Sequence, residues 1–367
     1  METQIIQTDN RNYGIDLLRI LCMVMVPVLH ILKTFLGELP VLSIQYDQAY
    51  LLEAIVFSAV NCFALISGFV GYGRKFCYSS ILRLLLQVLF YTVPTAIVFL
   101  MFRPHMVGVR GILQSWFPFA YPVYWYYTAY FCMSFFIPAL NFLVDRMEKK
   151  ALQGVLLAAF LVFSLLPTLF QSDIGNTASG YSALWLGLLY IFGAYIKKYG
   201  LLQKQSQGKL LLGFGVLTLA NWAVKLTMEA ITGLILDEPL QDGYLLSNTS
   251  PTVVLSAVAL LLLFSRMQPG KFWVGFAKYF APAAFGAYLF YENQYIRAVL
   301  VVPVSRWLSA LPGPLMLIGV LSFAVLLWLG GSMLDKLRIM LFDMFRVKKL
   351  CQKVEQWVFS LLDKIEI

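Results

Sequence analysis

Arg19 and His30 lie eleven residues apart in the first long apolar stretch. At about 100° per residue, that spacing returns His30 to within about 20° of Arg19 on one helix face, with about 16 Å of rise between them. A guanidinium is a permanently charged planar fork that suits phosphate. An imidazole takes up and releases a proton near neutral pH and suits general acid–base work. A phosphate anchor and a proton acceptor on one groove match a nucleotide-linked donor with a long flexible arm, and acyl-CoA has that shape. The competing readings are a topology anchor for Arg19 and an interhelical hydrogen bond for His30. His30 is one of only two histidines, the other being His105 in a solvent-facing loop, and Pro27 loosens the helix just before it.

Few other polar groups interrupt the apolar runs, and an ionisable residue in such a run is a functional candidate by default. Asp16 sits beside Arg19; Ser58, Asn61 and Ser67 fall in the second run; Glu292, Asn293, Gln294 and Arg297 fall in the ninth. Glu292 is expected at a depth comparable to His30, where a carboxylate can orient the imidazole and stabilise its protonated form. The alternative partner for Glu292 is Arg297, in a structural ion pair. Asn61 and Ser67 are candidates to bind a developing oxyanion, or they are helix-packing contacts. Trp125, with Tyr126 and Tyr127, reads as an interfacial aromatic belt, with a sugar-stacking platform as the alternative.

These residues need a scaffold, and composition says which kind. Of 367 residues, 60% are hydrophobic and 13% charged, which excludes a soluble domain. Apolar runs of about 20 residues recur, the length at which a helix crosses the hydrocarbon core. They predict an all-α, polytopic bundle of about ten spans, at 15–36, 52–72, 81–102, 125–144, 151–170, 183–196, 210–231, 253–264, 280–302 and 315–334. Lys and Arg cluster in alternate loops, around Arg74, Lys75 and Arg83, then Arg146 to Lys150, Lys197 to Lys209, and Arg266 to Lys278. The remaining loops collect Glu38, Asp47, Asp173, Asp237, Glu238 and Asp242. That alternation predicts both termini in the cytoplasm. The net charge of +9 is mostly this topology signal, which argues against nucleic-acid binding. Five cysteines show neither a disulfide framework nor metal spacing, and no metal is expected. The expected organisation is one membrane domain, 1–335, and a basic amphipathic tail, 336–367. Nothing in the sequence specifies an oligomeric state.

Four blocks of sequence resemble acyltransferase family 3. Gly14-Ile15-Asp16-Leu17-Leu18-Arg19 followed by His30 is similar to its opening signature, and Asn61 to Phe69 to its second span. Tyr124 to Tyr130 through Pro138 to Asn141 resembles its Trp-led fourth span. Phe285-Gly286-Ala287-Tyr288-Leu289-Phe290-Tyr291-Glu292-Asn293 resembles a late span usually written Phe-Gly-Val-Tyr-Leu-Ile-His-Glu-Asn. The resemblance implies a bacterial inner-membrane enzyme that moves an acetyl or other short acyl group from cytoplasmic acetyl-CoA or another acyl-CoA to an envelope polysaccharide or lipid-linked sugar. It makes His30 catalytic, as general base or transient acyl carrier, and puts Arg19 at the donor site. No permanently bound cofactor is implied. Two departures stand out. The family often carries two arginines three residues apart before its third span, whereas here Ser80 precedes Arg83, with Arg74 and Lys75 as compensating donor-site candidates. Tyr291 replaces the late-span histidine, and a tyrosine is a poor base at neutral pH. The rival from another class is a proton-coupled transporter or glycan flippase using His30 and Glu292 as a relay. Binding of acyl-CoA discriminates the two.

Overall fold

The computed structural model describes residues 11–121, 123–236 and 245–364. The expected carboxylates Asp237, Glu238 and Asp242 lie outside these residues. Among the described residues the chain is all-helical, with no strand. Six helical segments are long and apolar enough to cross a membrane: Tyr13–Glu38, Ile44–Gly71, Ser79–Phe102, Lys149–Phe170, Gln207–Leu236 and Gly313–Met344. A seventh forms if Trp125–Ser134 and Ile137–Arg146, bent by 58°, are one span.

In chain order the helices begin with α1 (Tyr13–Phe35), α2 (Ile44–Val56), α3 (Ala59–Gly71), α4 (Ser79–Phe102), α5 (Val109–Trp116), α6 (Trp125–Ser134) and α7 (Ile137–Arg146). They continue as α8 (Lys149–Phe160), α9 (Leu166–Phe170), α10 (Ala183–Tyr199), α11 (Gln207–Leu236), α12 (Pro251–Ser265) and α13 (Lys271–Phe280). The last are α14 (Ala284–Tyr291), α15 (Gln294–Ile296), α16 (Val302–Ser309), α17 (Gly313–Met344) and α18 (Val347–Leu362).

Most helices fall on an apolar run; α5, α18 and nearly all of α13 lie outside the ten expected spans, and the runs themselves are not uniform. α1 starts where Asn12 accepts the Ile15 N–H at 3.1 Å, with Asp16 in the first turn, where the helix dipole favours a carboxylate. It is the axial helix, touching α2, α3, α12, α13, α14, α16 and α17. The expected sixth and eighth spans, α10 and α12, have 17 and 15 residues. Both are largely buried, and a helix sheathed by protein has its ends in protein rather than lipid, so its apolar run can stop short. α10 lies directly against α3. A Cβ on Gly68 would stand 1.9 Å from the Tyr190 carbonyl oxygen, and one on Gly193 would stand 2.0 Å from that of Leu65. Only glycine permits that backbone contact.

The expected ninth span is broken. α14 ends at Tyr291, and the chain restarts at α15 because Asn293 Oδ1 accepts the Tyr295 N–H at 3.1 Å. A π turn, Arg297–Val301, then leads into α16. Tyr124 on the approach to α6 donates its hydroxyl to the Leu289 carbonyl at 2.7 Å, which satisfies a backbone acceptor near the break. The break turns Glu292 towards α1. α17 runs through residue 335 to Met344, and α18 follows a left-handed Arg346. α18 is tied to the start of α4, where the Tyr78 N–H donates to Glu355 at 2.6 Å.

Candidate active site

One stripe of α1 carries Asp16, Arg19, Met23, Val26, His30 and Lys33, at alternating steps of three and four after Arg19, which places them on one helix face. Three cavities open along it. At the N-terminal end of α1 is a basin of ≈ 1250 Å³, open to solvent, with Asp16 and Arg19 in its wall beside Arg11, Arg74 and Lys197. A middle cavity shares Arg19 with the basin and adds Met23, Phe63, Ser67, Tyr126 and Phe285. The third, a chamber, shares Met23, Phe63, Tyr126 and Phe285 with the middle cavity and ends at His30, Lys33, Trp125, Tyr181 and Asn248.

The basin is electropositive, with four cationic side chains against one carboxylate. Asp16 is buried and accepts from Arg11 Nε at 2.5 Å and Arg19 Nη1 at 2.8 Å, so it fixes both guanidinium groups at the basin wall. Such a wall matches the charge of a nucleotide phosphate. Among the sequence candidates for that end, Arg74 lines the basin, whereas Lys75 and Arg83 are exposed and stand outside its wall. Arg83 faces the tail, near the buried Cys351, whose thiol is pushed up by burial while Arg83 draws it the other way.

At the far end His30 Nδ1 lies 2.6 Å from Glu292 Oε2. The contact is off-line for a hydrogen bond, a close approach without alignment. Glu292 Oε1 accepts from Arg297 Nη1 at 3.0 Å. The two partners weighed for Glu292 are therefore both present, one on each carboxylate oxygen. With Nδ1 turned to the carboxylate, Nε2 is the nitrogen left for the chamber, the orientation in which a carboxylate-backed imidazole serves as a base. The Tyr288 and Tyr291 rings flank His30, with centroids 6.3 and 6.1 Å away. Tyr291 is fully buried, and its hydroxyl has no hydrogen-bond partner among the described residues.

The remaining candidates are placed differently. Asn61 is fully buried and occupied, donating to the Asn248 carbonyl at 2.7 Å and accepting from Trp185 Nε1 at 3.1 Å. Ser67 bonds back to the Phe63 carbonyl at 2.9 Å. Asn293 caps the helix restart described above. Trp125 lines the chamber, 4.4 Å from the Tyr181 ring, and Lys33 donates to the Tyr181 hydroxyl at 3.2 Å. Tyr181 is held by a loop folded on Asp173, which accepts from the Thr177 N–H and hydroxyl at 2.9 and 2.8 Å. Burial would raise the Asp173 carboxyl, but these donors and the neighbouring backbone N–H groups hold it below its usual range. Arg11, Lys33 and Tyr181 are wall residues that sequence reasoning passes over, whereas Lys197 reads there as a topology charge and Tyr126 as a belt residue with sugar stacking as the alternative. For Lys33 the signal is there, one turn beyond His30 on the same face; for the others it lies in the tertiary fold.

Against this geometry, the family model described as an acyltransferase domain matches residues 12–333, from the cap of α1 to well into α17. The chain belongs to acyltransferase family 3. No curated protein and no solved structure matches at a significant level. As a member of acyltransferase family 3 with six or seven membrane-capable helices, it is a multi-pass membrane acyltransferase. The matched region contains the entire stripe from Asp16 to Lys33 and the break at Glu292.

Proposed function

We propose that the protein transfers an acetyl or other short acyl group from cytoplasmic acyl-CoA to a hydroxyl of an envelope polysaccharide or lipid-linked glycan, within a ten-span bundle in the bacterial inner membrane. The observation that carries this reading is the single face of α1 that joins a cationic basin to the His30–Glu292 pair through cavities with shared walls. The ten-span topology adds α10, α12, the bent α6–α7 pair and the broken α14–α16 run to the six long segments. It leaves both termini, and the basin, on the cytoplasmic side.

In this mechanism the CoA phosphates sit against Arg19 and Arg74, assisted by Arg11 and Lys197. Lys75 and Arg83, both exposed, add to the positive potential of that end without lining the basin. The arm follows the α1 stripe, and the thioester comes to lie between Arg19 and His30. The acceptor enters past Trp125, Tyr181 and Lys33. His30 Nε2 removes the proton of the acceptor hydroxyl, and Glu292 stabilises the imidazolium that forms. Arg297 holds the carboxylate in place. The leaving thiolate then takes the proton from His30.

The test is transfer of labelled acetyl from acetyl-CoA to envelope glycans by membranes containing wild-type protein or His30→Ala at equal abundance. Label should appear with the wild type and fall about 10²–10⁴-fold in the mutant. Equal labelling by both would remove His30 as the base. No labelling by the wild type with any short acyl donor would favour a transporter.

A further inference from the structure

The middle cavity and the chamber meet at four shared side chains, Met23, Phe63, Tyr126 and Phe285. On α1 this junction falls at Met23, four residues beyond Arg19 and seven before His30, where the proposed function places the thioester. Three of the four are apolar. Tyr126 alone carries an N–H or O–H donor, and its hydroxyl is buried without a hydrogen-bond partner among the described residues. A buried hydroxyl left unpaired is a standing cost to a fold, and in native structures it calls for an explanation. The ring is also fixed. It stacks on Tyr130 at 6.3 Å, meets Trp125 edge-on at 5.4 Å and meets Phe63 at 6.0 Å.

The geometry points to Tyr126 as the oxyanion donor of the transfer reaction, a catalytic residue that hydrogen-bonds the thioester carbonyl oxygen; this rests on the acyl-transfer reading above. The acceptor oxygen attacks the thioester carbon while His30 takes its proton. The carbonyl electron pair moves to oxygen, and the resulting oxyanion accepts the Tyr126 O–H. When the carbonyl re-forms, the carbon–sulfur bond breaks, the acyl group stays on the acceptor, and the CoA thiolate leaves with the proton that His30 held. Tyr126 neither gains nor loses a proton. A donor held in place before charge develops needs no reorganisation at that moment, and a preorganised donor acts more strongly inside a protein than in water. Asn61 and Ser67 do not compete for this role, because both already spend their polar atoms on neighbouring groups.

The fold gives the test its sign. A hydroxyl that holds structure destabilises the protein when removed, whereas an unpaired one does not. Tyr126→Phe, purified in detergent beside the wild type, is assayed for acetyl transfer, for acetyl-CoA affinity and for Tm. The expected result is a kcat lower by about 10²–10³-fold, donor affinity within about twofold of wild type, and an equal or higher Tm. Transfer within about threefold of wild type overturns the inference. A fall in Tm, in folded yield or in donor affinity that accounts for the lost activity also overturns it, by assigning the hydroxyl to structure or to binding. Absence of transfer by the wild type would instead remove the acyl-transfer reading, and this inference with it.

Discussion

Two charged clusters adjoin α14, one buried and one partly exposed, and they are built to different rules. In the first, Asp335 on α17 is fully buried. Its Oδ1 accepts from the Tyr91 hydroxyl at 2.8 Å and from Arg338 Nε at 2.8 Å, and its Oδ2 accepts from Arg338 Nη2 at 2.7 Å. Gly286 on α14 closes over it, since a Cβ there would stand 1.9 Å from Asp335 Oδ1. In the second, His30 and Glu292 touch at 2.6 Å without alignment, and Arg297 Nε and Tyr291 Oη find no partner among the described residues. The first cluster is satisfied and sealed; the second is under-satisfied and opens on a cavity. Burial of charge alone does not mark a functional site in this bundle. What marks it is unused hydrogen-bonding capacity together with access to a cavity.

The sharpest break of that comparison is Asp335→Ala. It strands Arg338 and the Tyr91 hydroxyl in the bundle, so the loss of stability should reach about 3–5 kcal/mol, read as a lower Tm in detergent, while each molecule that remains folded keeps its transfer rate. A small stability change would mean that the cluster is not structural. Glu292→Gln should do the opposite. The pair is partly exposed, so stability should change by about 1 kcal/mol or less, whereas transfer should fall about 100-fold because the imidazolium loses its counter-charge. Loss of fold without selective loss of rate would put Glu292 in the structural class with Asp335.

The same contrast explains how much the sequence discloses. Each of the ten apolar segments coincides with a helix or with a helix broken once or more, because length and composition determine helix formation in lipid. Which of them stand as full spans is less legible. α10 and α12 are short because protein surrounds them, and the break at Glu292 and Asn293 depends on Tyr124, far away in sequence. The spacing of Arg19 and His30 is readable since both ride on one helix. Their walls are not. Tyr126 reads as a belt residue because its neighbours are aromatic, and only the packing of α3 and α14 around it turns it into a cavity wall. Lys225 and Glu229 are a further instance. They sit four residues apart on α11, their heads 2.5 Å from each other, and the tertiary contact that Tyr46 of α2 makes with Glu229 has no sequence signature. Asp335 and Arg338 are similarly silent, since their partner Tyr91 comes from α4.

The account's central claim is a division of labour along α1, with donor recognition at Arg19 and chemistry at His30. Equilibrium binding of acetyl-CoA to the purified Arg19→Ala and His30→Ala proteins tests it most directly. Arg19→Ala should bind at least about tenfold more weakly than wild type, and His30→Ala should bind as wild type does while failing to transfer. Unchanged binding by Arg19→Ala, or an equal loss in both variants, would contradict it.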